Sequence, residues 1–510
     1  MKNNTHRWKS FNTILVFVVF LGICISSWSV LHGDINFNTD IARDFLLLED
    51  VVDNHNLSLI GPKAGGIAGV FHGPLWMYMH VPAYFIGHGD PIIIGWFWIL
   101  LVSITSGILY FVCDKLFGKT QGLVAAALFA TYSFDIGRTL FNPFGAVIVA
   151  PLFSYTLLRY LRSQKMRYLL YTYFLIGILI QFQIAFGGPI LMLTILLTSL
   201  FIAKHKEYKH LTAYLALLPP LASYFLFEIR NNFLQLRSII SFLTSHETAP
   251  LSLLSKLSDR IMGILFLHNY FIKGQIYWLT GVLFLCCLVI LLRKNKAGKL
   301  LHKDVYSLLA YLYGGYWILS LFFGGIVWSY YVWPFIPLLI IHFSSMMDTM
   351  NNKVWMSIVS IIIVWQLFLG YNDIIALSKF SGKEASSWKA SKDMSELVFN
   401  SNDEDFGYYI FTPELFGYTP RYAMDFSQKA HIHTAYPFQK KKITYLIMIP
   451  PNNNGTTQDM SWWKTKEVGI DKKPVKIIHM SDYIIEKYEL SEKEISIPSN
   501  PNLIQGIYFR

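Results

Sequence analysis

Long apolar runs recur along the first 372 residues of this chain, with short polar stretches between them. About 20 apolar residues are enough to cross a bilayer as an α-helix. The chain is 54% hydrophobic and 15% charged, whereas a soluble protein carries about 25% charged residues. The sequence therefore predicts a mainly α fold, a polytopic transmembrane helical bundle surrounded by membrane lipids. We place about eleven spans, at 11–31, 91–113, 119–134, 143–159, 168–184, 187–203, 211–228, 276–292, 305–323, 328–346 and 354–372.

Lys and Arg are concentrated in some of the loops between these runs, among them 159–167, 204–209 and 293–303. Cytoplasmic loops of membrane proteins carry an excess of Lys and Arg, so these loops indicate the cytoplasmic side. The same pattern accounts for the formal net charge of +11, and we expect no nucleic-acid partner. We predict an integral multi-pass protein of the bacterial inner (plasma) membrane, with a cytoplasmic N-terminus and 11–31 retained as an uncleaved helix.

Residues 373–510 form a polar segment. Short apolar runs at 408–412, 443–450 and 475–480 are typical of strands. We predict a small C-terminal α/β domain here, extracytoplasmic, after a transmembrane module at 1–372 whose first external loop is 32–90. No Walker or Rossmann phosphate loop is present. The cysteines fall in or at the ends of apolar runs, so we predict neither a disulfide framework nor a Cys-based metal site; they are Cys24, Cys113, Cys286 and Cys287.

The first external loop gathers acids that are otherwise sparse before residue 373. A helix is predicted from Thr39, which is a good N-cap, with an apolar stripe of Ile41, Phe45, Leu48 and Val52 at helical spacing. Asp40 and Asp44 are four residues apart, so both carboxylates lie on one helix face. The other acids between residues 32 and 82 are Asp34, Glu49, Asp50 and Asp53.

Several short motifs in a fixed order resemble the GT-C glycosyltransferases, in particular the branch of protein mannosyltransferases and lipid A aminoarabinose transferases. They are TDIARD (39–44), LIGP (59–62), FHGPLWMYM (71–79), RTLFNP (138–143), QFQ (181–183) and FEIRNNF (227–233). The resemblance covers nearly the whole chain. It implies an enzyme that transfers a sugar, hexosyl or pentosyl, from a polyprenyl-phosphate donor to a glycan, lipid or protein acceptor outside the cytoplasm, with inversion. Many relatives carry an Asp-Glu pair in this loop, whereas here Ile41 follows Asp40.

Such chemistry needs a base that takes a proton from the acceptor. We predict Asp40 as this base; otherwise it is only a negative charge near a helix N-terminus. Asp44 either takes the role of the missing second acid, orients Asp40 or the acceptor, or pairs with a nearby cation. The external acids form no second carboxylate cluster, so neither a metal nor a cofactor is expected.

The departing phosphate needs cations or hydrogen-bond donors. The candidates are Lys63, His72, Arg138 and Arg230, and the arginines are favoured because they bind phosphate bidentately. Alternatively, Arg138 and Arg230 snorkel to the interface or pair with Asp135 and Glu228. Tyr330 and Tyr331 fit either an aromatic belt or a sugar platform. Gln181 and Gln183 fit interhelical hydrogen bonds or substrate contact.

A short aromatic stretch at 73–87 cannot cross a bilayer and is predicted to lie at its interface, beside a groove for the prenyl chain. Two other functions fit the sequence: a lipid-sugar transporter or flippase, and a catalytically silent relative that binds polyprenyl lipid. Coupled transporters usually place acids near the bilayer midplane. The acids of this chain cluster in one loop instead, which favours an external active site.

Overall fold

The computed structural model describes residues 2–64, 66–133, 136–244, 252–269, 302–348, 350–414, 416–451 and 460–503. The predicted span 276–292, Cys286, Cys287 and Asp135 lie outside these residues. Within them, six helices are long and apolar enough to cross a membrane by length and composition: Lys9–Ser26, Pro91–Leu116, Pro143–Ser163, Ile184–His205, Tyr208–Arg230 and Asn352–Lys379. The predicted helical membrane fold is confirmed, while the count of about eleven spans remains a prediction.

The chain divides into two compact units. The first comprises Met1–Ser27, Leu57–Met79 and Trp98–Asp373, and the second comprises Trp28–Asn56, His80–Phe97 and Ile374–Arg510. The assignment of separate roles to 1–372 and 373–510 therefore remains a prediction. The first helices are α1 (Lys2–Ser26), α2 (Trp28–Leu31), α3 (Thr39–Val52), α4 (Leu75–Ile86), α5 (Pro91–Leu116), α6 (Lys119–Tyr132), α7 (Pro143–Ser163), α8 (Met166–Phe182) and α9 (Ile184–His205).

The later helices follow in chain order. They are α10 (Leu218–Arg230), α11 (Leu234–Thr244), α12 (Leu253–Asn269), α13 (Lys303–Ser320), α14 (Phe335–Ser345), α15 (Asn352–Phe380), α16 (Trp388–Asn400), α17 (Tyr418–Gln428), α18 (Met460–Trp462) and α19 (Glu492–Ile495).

Helix α6 forms the centre of the first unit and is buried along nearly its whole length. Its small residues allow α1 to approach closely, because a Cβ added at Gly22 would collide with the backbone of Ala130. Close approach through small residues is how membrane helices gain packing energy. Helix α7 packs against α8, and α14 packs against both α6 and α7.

A β-hairpin-like loop before α4 belongs to the first unit. Lys63 and Phe71 form an isolated antiparallel bridge, and the backbone N–H of Gly61 donates to the carbonyl of His72 at 2.8 Å. The loop is tied to the helices at two points. Gly73 N–H donates to the carbonyl of Gln181 at 2.9 Å, and Phe71 N–H donates to Oε1 of Gln235 at 2.9 Å. These hydrogen bonds hold the loop, and with it His72, against the helices.

The second unit contains the predicted α/β domain. Its five strands are β1 (Phe406–Phe411), β2 (Ala435–Pro437), β3 (Ile443–Met448), β4 (Lys476–Met480) and β5 (Tyr483–Glu489), in the order β2-β1-β3-β5-β4. Strand β1 is parallel to β2 and β3, and β5 is antiparallel to β3 and β4. Strands β1 and β3 are buried on both faces, as expected for parallel strands covered on both sides.

Helix α3 packs on α17 within this second unit. Phe45 of α3 lies 5.2 Å from Tyr422 of α17, and beside them Phe37, which precedes α3, lies 4.9 Å from Trp388 of α16, ring centroid to centroid. The acidic helix of the first loop is therefore part of the same hydrophobic core as the C-terminal domain.

Candidate functional site

Helix α3 begins one residue earlier than a Thr39 cap would give. Asn38 is the N-cap, and its Oδ1 accepts a hydrogen bond from Ile41 N–H at 3.1 Å. The apolar stripe is buried as predicted, with Ile41 and Phe45 among its most enclosed members. Asp40 and Asp44 lie on the helix outside this apolar stripe.

Arg43 lies between the two predicted carboxylates and contacts both. Its Nη1 donates to Oδ1 of Asp40 at 2.8 Å, while Nε and Nη2 donate to Oδ1 of Asp44 at 3.1 and 2.9 Å. The two acids differ in exposure, because the Asp40 side chain is 62% exposed and the Asp44 side chain is 13% exposed. One acid is open to an incoming molecule and the other is enclosed.

Burial raises the pKa of Asp44 to about 6, and the neighbouring Arg43 charge only partly offsets it. For Arg43 burial acts downward, yet the charges of Asp44 and Asp40 outweigh it and raise the guanidinium pKa. One carboxylate oxygen of Asp44, Oδ2, is buried and accepts no hydrogen bond from any described residue. A near-neutral pKa at a buried acid with a specific charge partner is a common property of functional sites.

A second charge cluster fixes the far end of α3. Lys429 Nζ lies 2.8 Å from Oδ2 of Asp53 and 3.2 Å from Oε1 of Glu49, and it also donates to the Tyr84 hydroxyl at 3.3 Å. Burial raises the pKa of Glu49 against the opposing effect of Lys429. At the near end, buried Asp34 accepts hydrogen bonds from Ser387 and Ser381 at 2.7 to 2.9 Å.

The predicted phosphate ligands all lie in the first unit. Lys63 and Arg230 are exposed, and Arg138 is half-buried in a 3₁₀ turn, Ile136–Arg138. None of the three forms an ion pair with a described acid. Glu228, the suggested partner of Arg230, instead accepts the N–H groups of Gln235 and Leu236 at 3.0 and 3.1 Å at the start of α11.

Two predicted residues, His72 and Tyr331, share one cavity of about 300 Å³ in the first unit. Tyr331 is buried, whereas Tyr330 packs edge-on against Phe141, 5.5 Å between ring centroids. Gln183 also lines the cavity. Asp40 and Asp44 belong to the second unit, whereas the predicted phosphate ligands, Tyr330 and Tyr331 belong to the first. The roles of all these residues remain predictions.

Two functional candidates were missed or undervalued at the sequence level. Arg43 was overlooked, although the i,i+3 spacing already places it beside Asp40. Gln183 was left open between interhelical hydrogen bonds and substrate contact. Within the described ranges no three His, Cys, Asp or Glu side chains are grouped so as to hold a metal ion, and metal independence remains an expectation.

Comparison with known proteins gives one family and a solved fold. The profile of the dolichyl-phosphate-mannose-protein mannosyltransferase family matches residues 72–224, and no curated protein matches the chain in sequence. The crystal structure of ArnT from Cupriavidus metallidurans bound to undecaprenyl phosphate is similar, with a TM-score of 0.60 and 11% identity over 96% of this chain and 99% of that chain.

A weaker likeness connects the chain to the Archaeoglobus fulgidus oligosaccharyltransferase in complex with Zn and sulfate. The TM-score is 0.37 and the identity 13%, over 89% of this chain and 66% of that chain, and we draw no argument from it. The ArnT likeness extends over nearly the whole chain and shows the fold. The fold implied by the resemblance of the motifs to GT-C enzymes is confirmed, and the family profile over residues 72–224 agrees with that resemblance.

Proposed function

Starting from the GT-C fold, we propose that this protein is an inverting glycosyltransferase that moves a sugar from a polyprenyl-phosphate carrier to an acceptor outside the cytoplasm. The observation that carries the proposal is the Asp40–Arg43–Asp44 constellation on α3. The Asp40 carboxylate is exposed and can meet an acceptor, and the more enclosed Arg43–Asp44 pair holds this carboxylate in place. The family profile at 72–224 adds support.

The reaction is a single displacement. The oxygen of an acceptor hydroxyl attacks the anomeric carbon of the sugar, and the bond from that carbon to the carrier phosphate oxygen breaks. The electron pair of the broken bond leaves with the phosphate, and the acceptor's proton passes to a carboxylate. The products are the glycosylated acceptor and the polyprenyl phosphate, with the anomeric configuration inverted.

Asp40 is the group we assign as base, because its side chain is the more exposed of the two. Asp44 acts as a positioning residue. It binds Arg43 through two donors, and Arg43 then directs its remaining Nη1 at Asp40. Both donors meet one oxygen of Asp44, Oδ1, and charge-assisted hydrogen bonds are strong, so this chain of contacts restricts where the Asp40 carboxylate can point.

The charge that develops on the leaving phosphate requires compensation. Lys63, Arg138 and Arg230 remain the candidates, since none is paired with a described acid and each is at least partly exposed. His72 is placed differently, inside the apolar cavity with Tyr331. We propose that these cations meet the charge that develops on the phosphate as the bond breaks, and that the cavity residues hold the donor before transfer. The groove for the prenyl chain beside 73–87 remains a prediction.

The test is release of polyprenyl phosphate from a purified polyprenyl-phosphate sugar by the protein in detergent, with the cell's glycans compared by mass spectrometry to identify the acceptor. Asp40→Asn should lower turnover by about 10² to 10⁴, the usual contribution of a general base, without loss of folding. Asp50→Asn is the matched control, because Asp50 lies on the same helix and accepts hydrogen bonds from Asn54 and Asn56.

Three outcomes separate the alternatives. Release that depends on Asp40 supports the transferase. Movement of the lipid-sugar across vesicles without release indicates a flippase. Lipid binding with neither reaction indicates a silent relative, and it overturns the proposed function.

A further inference from the structure

Gln183 is a fully buried side chain at the junction of two helices. It stands between the end of α8 and the start of α9 in an extended conformation, and its backbone carbonyl accepts the N–H groups of Phe186 and Gly187. Its side-chain amide is different, because neither Nε2 nor Oε1 bonds to any described residue. A buried amide left without partners is costly to a fold, so a ligand that meets it is the physical explanation we pursue.

The cavity that Gln183 lines is almost entirely apolar. Four loop residues line it, Ala64, Gly66, Ile67 and Val70, together with the first turns of α9, the end of α13 and Tyr331. At about 300 Å³ it reaches the lower size of a small-molecule pocket. The polar side chains of its described lining are Gln183, His72, Ser320, Tyr316 and Tyr331, and the rest is apolar, a combination suited to the junction between a lipid chain and its head.

The protein groups at this end of the cavity donate hydrogen bonds, so a bound head group has to accept them. Helix α9 is 22 residues long, and the N–H groups of its first two residues, Ile184 and Ala185, have no partner within the helix. Ile184 and Ala185 of that first turn line the cavity together with Gln183. The N-terminus of a helix carries a partial positive charge that favours anions, and Nε2 of Gln183 adds a side-chain donor.

The side chains that line the cavity limit how much negative charge the head group can carry. Its described lining contains no Lys, Arg, Asp or Glu, and His72 is its one side chain that can become a cation. A single negative charge can be met by a helix terminus and an amide. A second charge finds no Lys or Arg among the described lining residues, and burying it unpaired is much more costly. The site therefore suits a monoanion and disfavours a dianion.

We propose that this cavity is a binding site for the phosphodiester head of a lipid, with Gln183 as the residue that distinguishes a phosphodiester from a phosphomonoester. The proposal rests on the proposed function, in which the donor is a phosphodiester and the released carrier is a phosphomonoester. A monoester carries between one and two negative charges at neutral pH. The same site would then bind the donor and release the spent carrier. A membrane phospholipid has the same chemistry and is the second possible source.

The experiment compares two synthetic lipids that differ by one methyl group: farnesyl methyl phosphate, a monoanion, and farnesyl phosphate. Binding to the purified protein is measured by native mass spectrometry in one detergent at pH 8 and at pH 5. At pH 8 we expect the diester to bind about tenfold more tightly, and at pH 5, where the monoester is also largely a monoanion, the difference should close.

Gln183→Leu should weaken diester binding by about tenfold or more. Gln366→Leu is the matched control, a buried glutamine of α15 in the same unit that does not line the cavity. Gln183→Asn, which keeps the amide, should retain part of the affinity. If Gln183→Leu fails to fold, the comparison of the two lipids on the unmodified protein still decides the proposal.

Competition by phosphatidylglycerol identifies the source. Displacement of farnesyl methyl phosphate assigns the site to membrane phospholipid, and resistance assigns it to the isoprenoid carrier; both support a phosphodiester site. Equal or tighter binding of the monoester at pH 8, or diester binding unaffected by Gln183→Leu, overturns the inference. Sugar transfer that persists in that case leaves the proposed function intact, so the two failures are distinguishable.

Discussion

Lys429 donates a hydrogen bond to Asp53 at 2.8 Å, joining two residues that are far apart in the chain. One follows helix α17 in the C-terminal domain, and the other caps the end of the acidic helix α3. With Asp34 held by Ser387 at the opposite end, both ends of α3 are fastened to the C-terminal domain within the second unit. The domain thus determines where the Asp40 carboxylate stands.

Replacing Lys429 with Met tests this dependence. Glu49 and Asp53 lose their shared cation, α3 becomes less restrained, and we expect turnover to fall by up to about tenfold, equivalent to about 1.4 kcal/mol. Donor affinity should be unchanged, and Lys429→Arg should restore most of the turnover. Lys442→Met is the control, since its pair with Glu404 is largely exposed. Equal effects of Lys429→Met and Lys442→Met would argue against a positioning role.

The pH dependence of transfer should report Asp44. With the pKa of this buried acid raised to about 6, it becomes protonated as the pH falls through about 6. Arg43 then loses its charged partner. We expect kcat/KM to decline on the acidic side with an apparent pKa near 6.

Asp44→Asn removes the group that titrates. This variant should be less active than the unmodified protein at pH 8, yet retain more activity than Asp40→Asn, and its profile should lack the limb near pH 6. An Asp44→Asn variant that is inactive at every pH, with Asp40→Asn retaining near-normal transfer, would make Asp44 the base. Steady-state rates between pH 5 and 8 distinguish the two assignments.

Asp425 should make the protein less stable as the pH rises. Burial and the charge of Glu49 raise the pKa of Asp425 to about 7, whereas an unfolded Asp titrates near 3.9. Between these values the folded state binds more protons, so the free energy of unfolding decreases with increasing pH. The stabilisation is complete below pH about 4 and is lost as the pH rises through about 7.

Thermal unfolding in detergent at pH 5 and pH 8 measures this contribution. The loss of Tm between the two values should be smaller in Asp425→Asn by at least about 2 °C. Asp471→Asn, an exposed acid of the same unit, should behave like the unmodified protein. An unchanged pH dependence in Asp425→Asn would show that the carboxyl titrates normally.

Orientation in the membrane is a separate prediction. The distribution of Lys and Arg among the loops favours a cytoplasmic N-terminus and an external C-terminal domain. A reporter that is active only in the cytoplasm, fused after Arg510, should therefore be silent, and the same reporter fused after Gln164 should be active. Activity of the first fusion would invert the topology and place α3 on the wrong side for an external acceptor.

Local patterns predicted local structure well. The helical spacing of Ile41, Phe45 and Leu48 predicted α3 and its buried face. The apolar runs at 408–412 and 443–450 predicted β1 and β3 to within two residues at each end. Periodicity works here because each of these elements buries a continuous apolar face.

The same reasoning failed where the partners of a residue are far away in the sequence. Strand β5 was missed because Glu486 and Lys487 interrupt its apolar run. Glu486 is nevertheless buried, where Lys464 lies 2.6 Å from Oε1 and the hydroxyl of Tyr488 donates to Oε2. The attachment of α3 to Lys429 and Trp388 was likewise invisible, since partners separated by most of the chain leave no periodic signal. Charges and amides satisfied by distant groups are the part that sequence patterns do not contain.

The order of synthesis gives the aromatic contact between α3 and α17 a further meaning. A ribosome finishes α3 at Val52 and must continue to Trp388 and then Tyr422 before the partners of Phe37 and Phe45 exist. At about 5 to 20 residues per second, that interval lasts about 20 to 70 s. During it the acidic helix emerges with its apolar stripe uncovered, a state that chaperones and proteases can recognise. Chains truncated before residue 388 would keep that stripe permanently uncovered, so quality control could remove incomplete copies before they reach any substrate.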